Sequence, residues 1–344
     1  MTGASSVVKN ILLVRTDRIG DVVLSLPMLP VLKKHFPEAS ISMMVRKYTR
    51  ELVEHHSCVN DIIQWEVDGE RSLFEYVKIV KERKFDIAIL PYPRFTLALI
   101  VFLAGVPVRV GTGYRWYSFL FNRKRYEHRK DATFHELTYN LNLLNTLGID
   151  VDSEPQFELN IPTEIHERVD AIVRRDRLGQ FVVLHPGSGG SARDWSPKNF
   201  ATLGDRLQQE CALKVVFTGS ASEQPLVRQV IEKMKTSPID YSGKFLLREL
   251  TALIMRAKVF VSNSTGPLHI AAAVGTPVVG FYPPIVQCSP SRWGPYTKKR
   301  RVFTADNNSC TLCKGGPCQS NVCMDQITVD HVVAAIKELL NENL

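Results

Sequence analysis

The residues with the clearest chemical meaning lie in the stretch FVSNSTGPLHIAAAVGTPVVGFYPP at 260–284. An apolar run suited to a buried strand leads into a polar turn, and Pro267 then opens an alanine-rich helix, because proline suits the first helical position. The first N–H groups of a helix lack intrahelical partners and carry partial positive charge, so the turn predicts a phosphate or diphosphate site. Ser264 and Thr265 would add hydroxyl donors, and Gly266 would let a ligand approach the backbone. The alternative is that Ser264 or Thr265 only caps the helix.

A carboxylate suited to acid–base chemistry lies in the loop RTDRIGD at 15–21, which follows the first apolar run of the chain. The pattern predicts a βαβ opening, and open parallel sheets bind ligands beyond the carboxyl ends of their strands. Asp21 begins a helix that we expect over 21–32. It is either a carboxylate that the helix dipole stabilises, or a base that removes a proton from a hydroxyl nucleophile.

Three short polar loops follow predicted strands of the second half. They span 188–193, 219–223 and 264–266. Arg193 could neutralise a diphosphate, Glu223 could accept hydrogen bonds from ribose hydroxyls, and Ser188 and Ser220 add small polar groups. The glycine-rich run beside the first loop lacks the GxGxxG spacing and the P-loop lysine, which argues against a dinucleotide dehydrogenase and a P-loop NTPase. We therefore expect a nucleotide or a sugar nucleotide here, with Asp21 facing it across a cleft.

Strand-like and helix-like segments alternate through both halves, which predicts an α/β fold with two Rossmann-like domains. A proline-bearing stretch at 149–163 has the composition of a linker, so the domains are placed at 1–160 and 161–344. The second domain would include a cysteine-rich loop at 310–323 and a terminal helix. The apolar run at 95–106 is too short to span a bilayer, so it predicts a buried helix.

The net charge of +8 is unevenly distributed along the chain. Residues 92–130 include eight basic residues and one acidic residue, with aromatic side chains between them, and 298–301 form a second basic cluster. Such patches attract phosphates, nucleic acid or anionic membranes, and a solvated basic face is the alternative. No RRM, KH or helix-turn-helix signature accompanies them. Residues 1–10 lack the apolar segment of a secretory signal, so a cytoplasmic protein is expected.

Four cysteines cluster near the end of the chain. They are Cys310, Cys313, Cys318 and Cys323. A compact zinc site with four thiolates is physically possible, although zinc knuckles usually separate two CxxC pairs by a longer loop. Unligated thiols in a tight loop are the alternative, and disulfides are not expected in a reducing cytoplasm. In either case the cluster would be remote from the chemistry.

Five stretches together resemble glycosyltransferase family 9, the ADP-heptose:lipopolysaccharide heptosyltransferases. They are RTDRIGDVVLSLP at 15–27, FHELTYNLNLLNTLGI at 134–149, VVLHPGSGG with RDWSPKNFATL at 182–203, VVFTGSASE at 215–223 and FVSNSTGPLHIAAAVGTPVVGFY at 260–282. The resemblance implies a GT-B fold, in which the parallel sheets of two Rossmann-like domains face each other across a cleft. It also implies an inverting, metal-independent transfer of heptose from ADP-heptose to an inner-core sugar of lipopolysaccharide or a related cell-surface glycan.

The resemblance further implies roles for individual residues. The catalytic base of the family falls on Asp21 in the first, acceptor-binding domain, and the cation that faces the donor phosphates, usually lysine, falls on Arg193. The ribose-binding glutamate falls on Glu223, and the diphosphate-binding turn falls on Thr265 to His269. The chain departs from the family at Ser264, where many members have aspartate, which leaves room for another nucleotide sugar.

A lipid-linked anionic glycan is the acceptor that the family implies, and the basic residues Arg18, Arg94 and Arg115 are the candidates to bind it. We expect no cofactor in catalysis, no nucleic-acid partner, and at most a peripheral contact with the cytoplasmic face of the inner membrane. A sugar-nucleotide epimerase is a neighbouring alternative, which the pairing of RIGD and TGPLH disfavours. The rival class is a non-catalytic basic module for nucleic acid or a membrane surface, recognised by salt-sensitive binding without affinity for a nucleotide sugar.

Overall fold

The computed structural model describes residues 8–66, 71–151, 153–190, 193–306 and 323–342. Their strands are β1 Asn10–Val14, β2 Ser40–Arg46, β3 Asp61–Trp65, β4 Ile87–Ile89, β5 Val108–Thr112, β6 Arg123–Arg125, β7 Phe181–His185, β8 Lys214–Phe217, β9 Ile239–Asp240, β10 Val259–Asn263, β11 Val278–Tyr282 and β12 Arg300–Thr304. Their α-helices are α1 Ile19–Val23, α2 Met28–His35, α3 Leu73–Glu82, α4 Phe95–Leu103, α5 Glu136–Asn142, α6 Thr163–Arg175, α7 Pro197–Cys211, α8 Gln224–Ile231, α9 Leu247–Ile254, α10 Gly266–Ala273, α11 Pro290–Trp293 and α12 Val329–Asn341.

The chain divides into two compact units. The first falls within Met1–Arg129 and Glu136–Asn160, and the second within Lys130–His135 and Ile161–Leu344. The first sheet has the strand order β3-β2-β1-β4-β5-β6, and every neighbouring pair is parallel. The chain order therefore reverses between β1 and β4, and the carboxyl ends of these two strands are the place where such sheets bind ligands.

The second unit repeats this topology. Its sheet has the order β12-β11-β10-β7-β8-β9 and is again parallel throughout, so its reversal lies between β7 and β10. The predicted α/β class with two Rossmann-like parallel sheets is confirmed. In each unit the loops that carry the polar motifs follow the strands on both sides of the reversal.

Continuous apolar runs place the central strands in the interior of each unit. Residues 11–14 of β1 and residues 259–261 of β10 are fully buried, because helices cover both faces of a parallel sheet. The core of the second unit also includes the indole of Trp195 and the apolar side of α12. The central strands therefore give rigid supports to the loops at their carboxyl ends.

Two sequence expectations about helices were wrong. The helix expected over 21–32 is divided into α1 and α2, because Pro27 has no N–H to donate to Val23 and the chain makes a turn before α2 begins. The helix expected to be buried forms as α4, but only its inner side is buried. Phe102 and Leu103 on its outer side are 43% and 46% exposed. Among the described residues, no helix combines the length and the apolar character that crossing a bilayer requires.

Candidate active site

Asp21 lies in the first turn of α1, which follows the loop after β1. Its Oδ1 accepts a hydrogen bond from Nη2 of Arg15 at 2.5 Å, and its Oδ2 accepts one from the backbone N–H of Arg18 at 3.3 Å. The side chain remains 16% exposed. The carboxylate therefore supports the helix start and can still be reached from solvent, so its use as a base stays a prediction that the geometry allows.

Arg15 is the charged centre around which this part of the site is arranged. The side chain is completely buried, and its guanidinium lies 3.2 Å from Asp17, 2.5 Å from Asp21 and 3.5 Å from Glu136. Burial lowers the pKa of Arg15, but the three carboxylates outweigh burial and leave that pKa above its ordinary value. A buried cation shared by three carboxylates restricts the orientation of Asp21, because Asp17 and Asp21 would lose this ion pair if Arg15 moved.

Helix α5 supplies the support for Arg15. Glu136 and Asn140 lie one turn apart and are both buried. Oδ1 of Asn140 accepts from Nη1 of Arg15 at 3.4 Å and from Nη1 of Arg129 at 3.1 Å, while its amide donates to the carbonyl of Leu24 at 3.0 Å. Arg129 also forms an ion pair with Glu136. Glu136 and Asn140 thus connect α5 to the loop after β1 through polar contacts.

Asp17 is a second carboxylate in the same loop, and its surroundings differ from those of Asp21. Burial raises the pKa of Asp17 to about 7, and Arg15 only partly offsets this effect. Its Oδ1 is buried and makes no hydrogen bond with any described residue, although Nε of Arg15 lies 3.2 Å away. Asp17 is thus the less exposed of the two carboxylates, at 11% against 16%, and the assignment of the base to Asp21 stays a prediction.

The three arginines predicted to bind the acceptor follow neighbouring strands of the first sheet. Arg18 comes after β1, Arg94 after β4 and Arg115 after β5, and all three side chains are exposed. The carboxyl ends of parallel strands lie at one edge of a sheet, so the arginines share the edge that carries Asp21. Tyr48, whose hydroxyl donates to the carbonyl of Asp17 at 2.6 Å, lies beside the same loop.

In the second unit, the turn after β10 leads directly into α10. Thr265 is the N-cap residue with φ of −146° and ψ of 166°, and its hydroxyl makes no capping hydrogen bond. Ser264 instead contacts the hydroxyl of Tyr282. The hydroxyl of Thr265, the N-cap residue, therefore does not cap α10. The N–H of Gly266 lies at this positively polarised end of α10, whereas Pro267 has no N–H and the N–H of Leu268 donates to the carbonyl of Thr265 at 3.2 Å.

His269 lies in the first turn of α10 and is buried. Burial lowers the pKa of His269 to about 3, and the charge of His135 adds to this effect. Its Nδ1 has no hydrogen-bond partner among the described residues. The imidazole is therefore neutral at physiological pH, and it carries a buried ring nitrogen that is available to a ligand group.

Glu223 links two of the polar loops. Its Oε2 accepts from the N–H and hydroxyl of Ser220, both at 2.8 Å, and its Oε1 accepts from the N–H of Gly189 at 3.2 Å. Burial opposes ionisation of Glu223, but the nearby His185 and the hydrogen bonds from Ser220 and Gly189 leave its pKa below its ordinary value. A Cβ atom on Gly187 would lie 2.1 Å from Oε1 of Glu223. Glycine at this position therefore makes room for the carboxylate.

His185, at the end of β7, lies beneath Glu223. Its Nδ1 is 2.9 Å from the hydroxyl of Thr218, and its Nε2 is 3.8 Å from Oε2 of Glu223. Burial lowers the pKa of His185, so we take the ring as neutral and the contact with Glu223 as a weak polar one. His185 and Thr218 therefore support the loops without adding charge.

The loop after β7 brings Ser188, Arg193 and Asp194 to the same edge. Ser188 is buried and hydrogen-bonds Asp194, and burial raises the pKa of Asp194 to about 6. Asn263 holds this loop from β10, because its Oδ1 accepts from the N–H of Trp195 at 2.8 Å and its amide donates to the carbonyl of Pro186 at 2.6 Å. Fixing both ends of the loop restricts the path of the Arg193 backbone.

Several supporting residues were missed by the sequence interpretation. They are Glu136, Asn140, His185 and Asp194, whereas Arg15 and Asn263 were expected in polar loops but without their partners. Their signal was weak, since each is a polar residue in or beside an apolar run, and only the fold shows which of them meet. Cys310, Cys313 and Cys318 lie outside the described residues, and Cys323 is buried in the core of the second unit. The described ranges contain no group of three or more His, Cys, Asp or Glu side chains arranged to hold a metal ion.

Comparison with known proteins relates this chain to one family. The profile of glycosyltransferase family 9 (heptosyltransferase) matches residues 73–323. A lipopolysaccharide heptosyltransferase 3 of Escherichia coli is 24% identical over 332 residues, which cover 93% of this chain and 96% of that protein. The fold is similar to that of a family 9 glycosyl transferase from Veillonella parvula, with a TM-score of 0.84, 24% identity and 97% of both chains covered. It is also similar to ADP-heptose LPS heptosyltransferase II of Escherichia coli, with a TM-score of 0.79, 23% identity and 97% and 99% of the chains covered.

Proposed function

Because the chain belongs to glycosyltransferase family 9, the family of the heptosyltransferases, we propose that it transfers heptose from ADP-heptose to an inner-core sugar of lipopolysaccharide or a related cell-surface glycan. The chain is thus an enzyme, and the donor, the acceptor and the residue roles are the proposal. The observation that carries it is the Asp21 carboxylate, which a fully buried Arg15 holds at the carboxyl end of β1 while part of its surface stays exposed.

The proposed reaction is a single displacement with inversion. Asp21 removes the proton from an acceptor hydroxyl as the oxygen attacks the anomeric carbon, and the bond from that carbon to the ADP oxygen breaks. General base catalysis of this kind contributes about 10²–10⁴-fold to a rate. The contact with Arg15 supports the role, because it fixes one carboxylate oxygen of Asp21.

The proposed donor site is the carboxyl edge of the second sheet. In this assignment Arg193 and the N-terminus of α10 stabilise the charge that grows on the leaving diphosphate, and stabilising such charge is usually a large part of catalysis. Thr265 supports the assignment because its hydroxyl is not used by a helix cap. Glu223 would accept from the ribose hydroxyls with the lone pairs that Ser220 and Gly189 leave unused.

Metal independence is part of the proposal. The positive charges that a divalent cation would otherwise supply to the diphosphate are provided by Arg193 and by the N-terminus of α10. The reaction should therefore proceed in the presence of a chelator. A structural zinc at the cysteine cluster would be remote from this chemistry and would not change that expectation.

The proposed acceptor is a lipid-linked anionic glycan, bound by Arg18, Arg94 and Arg115 at the edge that carries Asp21. Guanidinium groups suit carboxylate and phosphate groups because they offer several donors in one plane. We place the reaction at the cytoplasmic face of the inner membrane, where such an acceptor would be presented, with peripheral contact only.

Calorimetric titration of ADP and ADP-heptose without divalent metal tests the donor assignment. Wild type should bind both, and Arg193→Ala should bind them about 10- to 100-fold more weakly, the effect of losing a charged hydrogen-bonding partner. Transfer is tested with heptose-deficient lipopolysaccharide as acceptor and release of ADP as readout. Binding of neither nucleotide would contradict ADP-heptose as donor and direct attention to Ser264 and to other nucleotide sugars.

A further inference from the structure

The outer side of α4 is apolar, which is unusual for a helix on the surface of a protein. Phe95, Leu99, Phe102 and Leu103 recur at the spacing of one helical face, and their side chains are partly or largely exposed. The opposite side, which includes Ile100 and Val101, is buried in the core of the first unit. A helix that is apolar on all sides normally has both sides covered, so this outer side lacks a cover.

Aromatic side chains extend this apolar strip at the amino end of α4. Trp116 is 73% exposed and stacks on Phe95 with ring centroids 4.9 Å apart, and the turn Ser118–Leu120 packs beside α4 with Phe119 66% exposed. We call Phe95, Leu99, Phe102, Leu103, Trp116 and Phe119 the aromatic face. Among the described residues, eight of the fourteen large hydrophobic side chains that are exposed fall between 92 and 126. The exposure is therefore concentrated in one region.

Positive charge lies beside the aromatic face. Residues 92–127 contain six basic residues and one acidic residue, Glu127, which pairs with Arg125. The basic residues are Arg94, Arg109, Arg115, Arg123, Lys124 and Arg125. The guanidinium of Arg109 lies 5.2 Å from the ring centre of Phe102, and that of Arg94 lies 5.8 Å from the ring centre of Tyr92. Cations therefore border the apolar strip at both ends of α4.

We propose that the aromatic face docks the first unit onto an anionic lipid bilayer, with its aromatic rings at the level of the headgroups and the surrounding arginines on lipid phosphates. Aromatic side chains and arginine are the residues that proteins use at this interface. A neighbouring cation adds about 1 kcal/mol of attraction to an anionic leaflet, so the charges and the apolar strip act together.

The charge pattern selects the bilayer over the other occupants of such a face. A second copy of the chain would bring two faces together that each carry six basic residues and one acidic residue between 92 and 127, and their like charges would repel. Nucleic acid would pair with the charges and stack on Trp116, but it would leave Phe102 and Leu103 exposed to water. An anionic bilayer satisfies both the cations and the apolar helix face.

This inference rests in part on the proposed function, since a lipid-linked acceptor is presented in a membrane. Its evidence is separate, because neither the donor residues nor Asp21 belongs to the aromatic face. Arg94 and Arg115 belong to both arguments, and they would bind phosphates or carboxylates at the membrane surface in either case. The tests therefore change Phe102, Leu103 and Trp116, which have no part in the proposed chemistry.

Cosedimentation with lipid vesicles tests the docking. Wild type should bind vesicles of phosphatidylglycerol and phosphatidylethanolamine, should not bind phosphatidylcholine vesicles, and should be released by salt. Phe102→Ser combined with Leu103→Ser, and separately Trp116→Ser, should weaken binding on the order of tenfold, because exposed apolar area would no longer enter the bilayer. The matched control is Leu246→Ser, which removes a side chain that is 60% exposed in the second unit and should leave binding unchanged. Equal thermal melting of all variants would establish that they are folded.

Three outcomes would overturn the proposal. Wild type could fail to bind anionic vesicles. The Leu246→Ser control could lose binding as much as the variant with Phe102→Ser and Leu103→Ser together, called the α4 variant, or the α4 variant could bind like wild type. If wild type binds no vesicles but forms a concentration-dependent dimer that the α4 variant loses, the face would be a contact with a second copy. If wild type instead binds an oligonucleotide that the α4 variant does not bind, the face would be a contact with nucleic acid.

Transfer assays separate this proposal from the proposed function. With wild type active, the α4 variant should lose transfer to acceptor embedded in vesicles and keep transfer to a lipid-free acceptor fragment. If wild type transfers no heptose to either acceptor but binds anionic vesicles through the aromatic face, the proposed function fails and the docking surface stands.

Discussion

The carboxyl edges of the two sheets have the same strand order, but their polar groups are held in different ways. At the first edge, the buried guanidinium of Arg15 is shared among Asp17, Asp21 and Glu136. At the second edge, burial keeps His185 and His269 neutral, and the loops are held by backbone groups and by the amide of Asn263. One edge is thus built around a buried ion-pair network, whereas the other combines a helix N-terminus and neutral histidines with Arg193 and Glu223.

This difference shows how one topology can serve two tasks. A base needs a carboxylate whose orientation is fixed, and the ion pair with the buried Arg15 provides that. A site for a diphosphate needs positively polarised donors, and the N-terminus of α10 with Arg193 at the same edge can provide those, while Glu223 is held by Ser220 and Gly189. The strand order explains where each site lies, and the buried polar partners explain what each site can do.

Replacing Asp21 should produce the largest effect. Asp21→Asn keeps the shape of the side chain and removes the base, so we expect kcat to fall about 10²–10⁴-fold, with ADP binding unchanged by calorimetry. Asp17→Asn is the matched control in the same loop and should lower kcat far less. Equal losses in the two variants, or a retained rate in Asp21→Asn, would contradict the distinction between the carboxylates.

Glu136→Gln tests whether the charge network supports Asp21 from a distance. The change leaves Arg15 with one carboxylate fewer and Arg129 without its ion pair, so we expect kcat to fall about 10- to 100-fold, consistent with the cost of disturbing a buried ion pair. Donor affinity should not change, because the donor is assigned to the second unit. Partial recovery in Glu136→Asp would support positioning, whereas an equal loss of donor affinity would indicate general unfolding.

One residue from each edge, His269 and Asp17, should respond to acid in opposite directions. The pKa of His269 is lowered to about 3 from 6.5, so below pH 6.5 the unfolded chain takes up a proton that the native chain excludes, and stability falls. The pKa of Asp17 is raised to about 7 from 3.8, so as pH falls from 7 towards 3.8 the native chain holds a proton that the unfolded chain releases, and stability rises.

Denaturant unfolding at pH 7.5 and 5.5 measures these contributions. His269→Gln should lose less stability on acidification than wild type, and Asp17→Asn should lose more, each by at most about 1.4 kcal/mol per pH unit. Hydrogen exchange of peptides from α10 and β1 would assign each change to its unit. A shift of the same sign in both variants would contradict the comparison.

The smallest expected effect separates ligand binding from helix capping. Thr265→Val removes a hydroxyl that makes no capping bond, so donor affinity should fall several-fold with little change in stability, as for the loss of one hydrogen bond of about 0.5–1.5 kcal/mol. Ser196→Ala is the counterpart, because the Ser196 side chain accepts from the N–H of Asn199 and caps α7. It should reduce stability by about 1 kcal/mol and leave donor affinity unchanged.

Much of the fold and part of the site could be predicted from local sequence patterns. The alternation of strands and helices, the polar loops at the strand ends and the turn before α10 each arise within a short stretch. The fold was therefore predictable, and so was the position of Asp21 at the start of a helix. The supports of Asp21 were not, since Glu136 contacts Arg15 across 121 residues of sequence.

The sequence by itself determined which segments form strands and helices and which loops carry polar groups, because hydrophobic periodicity and turn residues act over a few positions. Tertiary structure alone decided which side of α4 is covered and which groups hold Trp195. The backbone N–H of Trp195 donates to Asn263, and its indole N–H donates to the carbonyl of Ile327. Burial and polar pairing depend on which distant segments pack together. A run of apolar residues such as α4 indicates that burial is favoured, but only the packing shows that one face is still without a cover.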